Sequence, residues 1–258
     1  MLFKKPNVVI KTIKEIDKMR IAGKAVASIL KQLSCVIKPG ITTKAIDIFV
    51  QRQIKLFDME PAFLGVKGVD SSFPASACVS VNNEVVHGIP SFEYFIKEGD
   101  IVSVDIGVIY EGYYGDAAKT YAVGKISTQA QKLLDVTKLA LEKGIEQVLP
   151  GNRLGNISFA IQSVVEAAGF SVVRDFVGHG IGRSLHEDPQ VPNYGRFDTG
   201  IKLLVGMVLA IEPMVNEGNF RVFLTDNNWT VVTADGSLSS HFEHTIAITK
   251  NGCEVLTR

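Results

Sequence analysis

Four acidic residues and one histidine stand out because of what surrounds them. Asp105 ends the apolar run Ile101-Val102-Ser103-Val104, and Glu212 ends Met207-Val208-Leu209-Ala210-Ile211. A lone carboxylate buried at the end of such a strand costs several kcal/mol unless something compensates it. Each is followed by a second acid, Asp116 in Gly115-Asp116-Ala117 and Glu243 in Phe242-Glu243-His244, placed to lie on a neighbouring antiparallel strand. The nearest preceding basic residues, Lys97 and Lys202, fall at the far ends of the strands. A basic partner from elsewhere is the plainer compensation and a divalent cation the sharper one. His179, between Gly178 and Gly180, completes a set of four carboxylates and one imidazole. Mostly oxygen with one nitrogen suits one or two ions of the Mn, Fe, Co or Zn kind. Two such ions about 3.5 to 4 Å apart share carboxylates and ionise a water at neutral pH, which is hydrolytic chemistry. Taken singly, each acid reads as solvated or salt-bridged and His179 as a turn or core histidine; the ordered set is what points to a centre.

Something must bring these residues together, and the chain carries an order that would do so. Thr12 followed by Glu15 reads as a capping box opening a helix with Ile16, Met19, Ala22, Val26, Ile29 and Leu33 at helical spacing, ended by Pro39-Gly40. A second helix begins near Thr43 and turns Ile46, Phe49, Val50 and Ile54 inward; β-rich segments follow around Cys78 to Ser80 and Ile101 to Tyr110. The order then recurs. Helical residues from about Thr128 to Val148 stop at Pro150-Gly151, and another helix buries Ile157, Ala160, Ile161, Val164 and Val165. Aligning the two Pro-Gly pairs sets Ile46 on Ile157 and Val50 on Ile161. His87-Gly88-Ile89 echoes His179-Gly180-Ile181, and both acid-bearing strands place the carboxylate six residues past a glycine, Gly99 or Gly206. Two related halves about an approximate two-fold are the expected architecture, in one catalytic unit over residues 1–258 with a short N-terminal extension over about 1–10.

Composition narrows the function classes. Lys plus Arg and Asp plus Glu each total 27 of 258 residues, so the net charge of +0 gives no bulk attraction to nucleic acid or to a membrane surface. With 46% hydrophobic and 21% charged residues the chain has ordinary globular usage. The longest apolar stretch, Leu203 to Ile211, is too short to span a bilayer, and the basic N-terminus lacks a following apolar segment. Cys35, Cys78 and Cys253 form no CxxC pair, so neither a disulfide framework nor a thiolate zinc site is expected, and a cytoplasmic location fits.

Gly178-His179-Gly180-Ile181-Gly182, Ile211-Glu212-Pro213-Met214, Val85-Val86-His87-Gly88-Ile89-Pro90 and Glu243-His244-Thr245 resemble the motifs of type I methionine aminopeptidases, and the similarity runs from about Ile10 to the C-terminus. The short bacterial type is the nearest match. The resemblance implies the α/β pita-bread fold, two pseudo-symmetric halves around a dinuclear metal site. It implies removal of an N-terminal methionine when the next residue is small, by attack of metal-activated water on the scissile carbonyl. Asp105, Asp116, His179, Glu212 and Glu243 would be metal ligands, with Asp116 and Glu243 bridging two divalent ions (Co, Mn, Fe or Zn). His87 would assist proton transfer at the scissile region, His186 would bind the peptide carbonyl, and Glu212 would double as general base. Phe73, Cys78, Phe176 and Trp229 would line a methionine-sized pocket; core packing is the plain alternative for each, and for Cys78 the residue type favours neither. The N-termini of nascent polypeptides would be the partners, met during transient ribosome association by a monomer, without sequence-specific nucleic-acid binding or membrane contact.

Two positions depart from the family's pattern. Leu185 stands where an aromatic residue is frequent, and His241 where a different polar residue is common. Three other readings share parts of the set. A proline-specific aminopeptidase has similar ligands but usually an extra N-terminal domain; a catalytically silent pita-bread protein would have lost ligands; a dinuclear phosphoesterase would carry a phosphate loop or an arginine pair.

Overall fold

A computed structural model describes residues 6–258 of the chain; the first five residues of the expected N-terminal extension lie outside them. The first half runs α1 (Ile13–Val36), α2 (Thr43–Leu56), β1 (Glu60–Pro61), β2 (Cys78–Val81), β3 (Glu84–Val86), β4 (Ile101–Tyr110) and β5 (Tyr113–Ala122). The second opens with α3 (Thr128–Ile145), α4 (Leu154–Ala167), β6 (Ser171–Val172), β7 (Gly178–Gly180), β8 (Glu187–Val191) and β9 (Val208–Ile211). It closes with β10 (Met214–Asn216), β11 (Val222–Leu224), β12 (Val231–Thr233), β13 (Ser239–His241), β14 (His244–Thr249) and β15 (Gly252–Val255).

Local chemistry accounts for the helix starts. Thr12 Oγ1 accepts from the Glu15 amide while Glu15 Oε2 accepts from the Thr12 amide at 2.8 Å, so the capping box forms and α1 begins one residue later. Met19, Ala22, Val26, Ile29 and Leu33 form its buried stripe. Thr42 and Ser127 cap α2 and α3 more simply, each hydroxyl accepting from the Ala45 or Ala130 amide. Each helix pair covers a sheet with its own core: α1 and α2 pack on β2, β4 and β5 through residues such as Val26, Ile46, Val50 and Val104, and α3 and α4 enclose Leu133, Ile157, Ile161, Leu209 and Ile246.

The repeat extends to the backbone. Gly40 and Gly151 take φ +88° and +92°, and Gly99 and Gly206 take +92° and +90°, a left-handed conformation that favours glycine. The Gly40 amide donates to Ile96 O at 2.8 Å and the Gly151 amide to Leu203 O at 2.9 Å. In the sheets, β4 lies between β2 and β5, and β9 lies between β7 and β14, antiparallel throughout. One part of the sequence alignment fails here. β7 takes the place beside β9 that β2 takes beside β4, and His87 follows β3 instead of lying on β2, so the His87-Gly88-Ile89 echo of His179-Gly180-Ile181 is a coincidence of three residues without a structural counterpart. Among the described residues, no helix is long and apolar enough to cross a membrane.

Candidate metal centre and substrate cavity

Pairing register decides which side chains meet. Cβ atoms alternate across a strand, and residues directly opposite each other share a face. The β4–β5 ladder sets Asp105 opposite Ala118 and Gly107 opposite Asp116, so Asp105 and Asp116 are diagonal neighbours on one face; Cys78, opposite Asp105 on β2, joins them. The tight Glu111-Gly112 turn, with both residues at positive φ, fixes that register. In the second half His179 sits opposite Ala210, two residues before Glu212 and hence on the same face, and the His244–Ile211 pair continues to place Glu243 against Glu212.

The halves then join along β5 and β14. Thr245 Oγ1 accepts from the Asp116 amide at 3.0 Å and donates to the Asp116 carbonyl at 2.7 Å, while the Glu243 amide donates to Ala118 O at 2.9 Å. All five sequence-derived ligand candidates therefore line one cavity of about 260 Å³. Donor atoms of Asp116, His179 and Glu243 lie within 4.8 Å of one another, as do those of Glu212, His241 and Glu243.

The electrostatics are those of a cation site. Among the described residues no Lys or Arg makes an ion pair with any of the four acids. Burial, partly offset by His241, pushes Asp105 up to about 7. Burial pushes Glu212 up to about 8. Burial and then mutual repulsion hold Asp116 and Glu243 well above the carboxylate range. Buried Asp105 Oδ1, Asp116 Oδ1, Glu243 Oε1 and His241 Nε2 have no hydrogen-bond partner, an expensive arrangement for the protein alone and an apt one for ligands. His179 is prepared in the same sense. Its Nδ1 lies 2.9 Å from the Gly180 carbonyl, which can only accept, so the proton is on Nδ1 and the Nε2 lone pair faces Glu212 Oε1 at 3.5 Å. The glycines beside it are required by the strand packing: a Cβ at Gly178 would lie 2.4 Å from Ala210 O, and one at Gly180 2.2 Å from Asp188 O. The donor set fits divalent first-row cations.

Residues 17–250 match the profile of metallopeptidase family M24. The chain belongs to that family. Within M24 it is similar to the methionine aminopeptidase of Clostridium acetobutylicum, 53% identical over 250 residues that cover 97% of this chain and 98% of that one. Methionine aminopeptidase 1 of Bacillus subtilis is 53% identical over 251 residues, covering 97% and 99%. The crystal structure of the Thermotoga maritima methionine aminopeptidase superposes with a TM-score of 0.94 at 52% identity, covering 97% and 99%. The two-half α/β architecture is thus the pita-bread fold of the M24 enzymes, and the chain is a divalent-metal peptidase of that family.

The remaining candidates surround the acids. His87, on the turn after β3 at φ +59°, borders the cavity and is lowered to about 4 by burial and by His241 and His186, so its imidazole is neutral near pH 7. His186 is at the exposed rim with its ring centre 4.5 Å from that of His179. Phe73 and Trp229 meet edge to face at 5.1 Å, and the Trp229 indole donates to Ser71 Oγ at 3.0 Å. Cys78 is buried beside Asp105, and burial, then that charge, raises its thiol, which makes it a packing wall rather than a ready nucleophile. Phe176 is one layer back, packing its ring edge against His87 at 5.7 Å instead of lining the cavity. Phe63, Val66, Lys67, Gly68 and Leu185 also line it. The first four come from a loop without periodicity, and only the Phe63 aromatic offered a signal. The unpartnered nitrogen of His241 was not legible either.

Proposed function

We infer that the chain removes the N-terminal methionine from proteins and peptides whose second residue is small, with residues 1–258 acting as one catalytic unit. The observation that carries this reading is a buried, unneutralised acid set against an apolar wall, in a chain 53% identical over nearly its whole length to methionine aminopeptidases. Asp105, Asp116, His179, Glu212 and Glu243 would hold two divalent cations, drawn from Co, Mn, Fe or Zn, with Asp116 and Glu243 shared between them. Such a pair, when bound, polarises a carbonyl and ionises water near neutral pH.

The chain's own groups do the rest. Phe63, Phe73, Cys78, Leu185 and Trp229 give a dry wall for an unbranched thioether side chain. Glu212 would act as the general base, taking a proton from water and returning it to the departing amine. Neutral His87 would assist proton transfer at the scissile region, and Phe176 behind it holds the ring in place. His186 at the rim would bind the peptide carbonyl. Nascent chains in the cytoplasm, met as a monomer in transient contact with the ribosome, are the proposed natural substrate.

The test is incubation of the chain with Mn, Co, Fe or Zn separately, followed by assay on Met-Ala-Ser, Met-Lys-Ser and Ala-Pro peptides. Methionine release from Met-Ala-Ser, much slower release from Met-Lys-Ser and no cleavage of Ala-Pro are expected. Equal rates on the two methionyl peptides would overturn the second-residue rule, and no methionine release with any metal would overturn the activity.

A further inference from the structure

One buried imidazole at the centre is left over by the five-residue ligand set. His241 ends β13 two residues before Glu243, is 2% exposed, and its Nε2 has no hydrogen-bond partner. That nitrogen lies 3.6 Å from Glu212 Oε2 and 4.0 Å from Glu243 Oε2. Both separations exceed the N–H···O range of about 2.7 to 3.2 Å. They match donors that share an ion: two atoms each about 2.1 Å from a first-row cation stand about 3.0 Å apart at a right angle, about 3.4 Å in a tetrahedron and about 4.2 Å when opposite. The His179–Glu212 pair, at 3.5 Å, falls in the same range. Glu212 therefore has an imidazole nitrogen facing each of its two oxygens. The backbone fixes His241 there, because its amide donates to Thr120 Oγ1 at 2.9 Å and its carbonyl accepts from the same hydroxyl at 2.9 Å. A buried nitrogen without a protein partner is costly, and coordination of a cation would offset that cost.

We propose that His241 is a further nitrogen donor to the divalent cation held by Glu212 and Glu243, giving the centre two imidazoles. This rests on the metallopeptidase reading above and adds to it a ligand at one of the two positions where the chain leaves the family's pattern. A second imidazole in place of an oxygen donor shifts preference from Mn toward the later, nitrogen-favouring ions of the first row.

The probe is Mn(II) alone, added at one equivalent to the intact chain and to His241→Ala and His241→Gln. Pulsed electron paramagnetic resonance counts the nitrogens bound to the ion, and calorimetric titration gives its affinity. Two coordinated imidazole nitrogens are expected in the unaltered chain and one in each variant, with first-ion Kd raised at least about 10-fold. A single nitrogen in the unaltered chain would overturn the proposal whether or not the variants fold, and so would an unchanged nitrogen count in either folded variant. A chain that binds no Mn(II) would instead bring down the metallopeptidase reading, and this inference with it.

Discussion

Asp116 and His87 line the same cavity, yet truncation takes something different from each. Asp116→Ala removes a carboxylate from the middle of the acid set, so bound cations would face one another with less charge between them. At least one ion should leave, and metal content and activity should fall together. His87→Ala removes a neutral imidazole from the cavity edge; metal content should persist while kcat drops about 10²- to 10⁴-fold, the usual loss of acid–base help. Elemental analysis beside steady-state kinetics after equal loading distinguishes the two, and a His87→Ala protein stripped of metal would make His87 a ligand. Asp105 and Glu212 were legible because each ends an apolar run that tolerates a lone charge poorly, and Asp116 and Glu243 because each is the acid that follows one of those strands. Val66 and Gly68 were not, since a loop lining a cavity carries no period. Phe176, expected from the resemblance to line the pocket, packs against His87 behind the lining residues, a difference of one layer that the motifs do not carry.

At the level of elements, the seam between β5 and β14 depends on one hydroxyl. Thr245→Val keeps the shape but leaves the buried Asp116 amide and carbonyl without the partner they have in Thr245 Oγ1. Each group so orphaned costs about 1 to 3 kcal/mol, and in a chain of this size each kcal/mol lowers Tm by about 2 to 4 °C. Scanning calorimetry should therefore show a drop of several degrees that Thr245→Ser restores; an unchanged Tm in the valine variant would mean the seam is held elsewhere. The helices were readable from the one capping box at Thr12 and from helical spacing, and the Pro-Gly pairs located the repeat because both glycines need the same left-handed backbone. Strands such as β6, β11 and β13, two or three residues long, are too short to show alternation. The His87–His179 echo misled for a related reason: three matching residues carry no register.

For the whole molecule, the centre makes stability depend on pH with a defined sign. Asp105 and Glu212, raised to about 7 and about 8, bind protons in the folded state that the unfolded chain has already released, so their contribution is lost as pH rises through those values. His87 and His179, lowered to about 4, act oppositely, but only below their ordinary value of 6.5. Between pH 6.5 and about 8 the acids act unopposed, and the metal-free chain should lose stability steadily. Saturating divalent cation should reverse that trend, because ligands bind ions only when deprotonated. Thermal unfolding across this window, with and without Mn(II), checks both; a metal-free Tm that rises with pH would contradict the acid cluster. The two-fold relation of the halves was legible in the chain, whereas its limit was not. β2 and β7 hold equivalent places, yet one presents Cys78 to the cavity and the other His179. A centre with true two-fold symmetry would receive a peptide equally well in either sense. Because His179 comes from one half and the apolar wall largely from the other, the cavity has a head and a tail, and a polypeptide can be read from one end only.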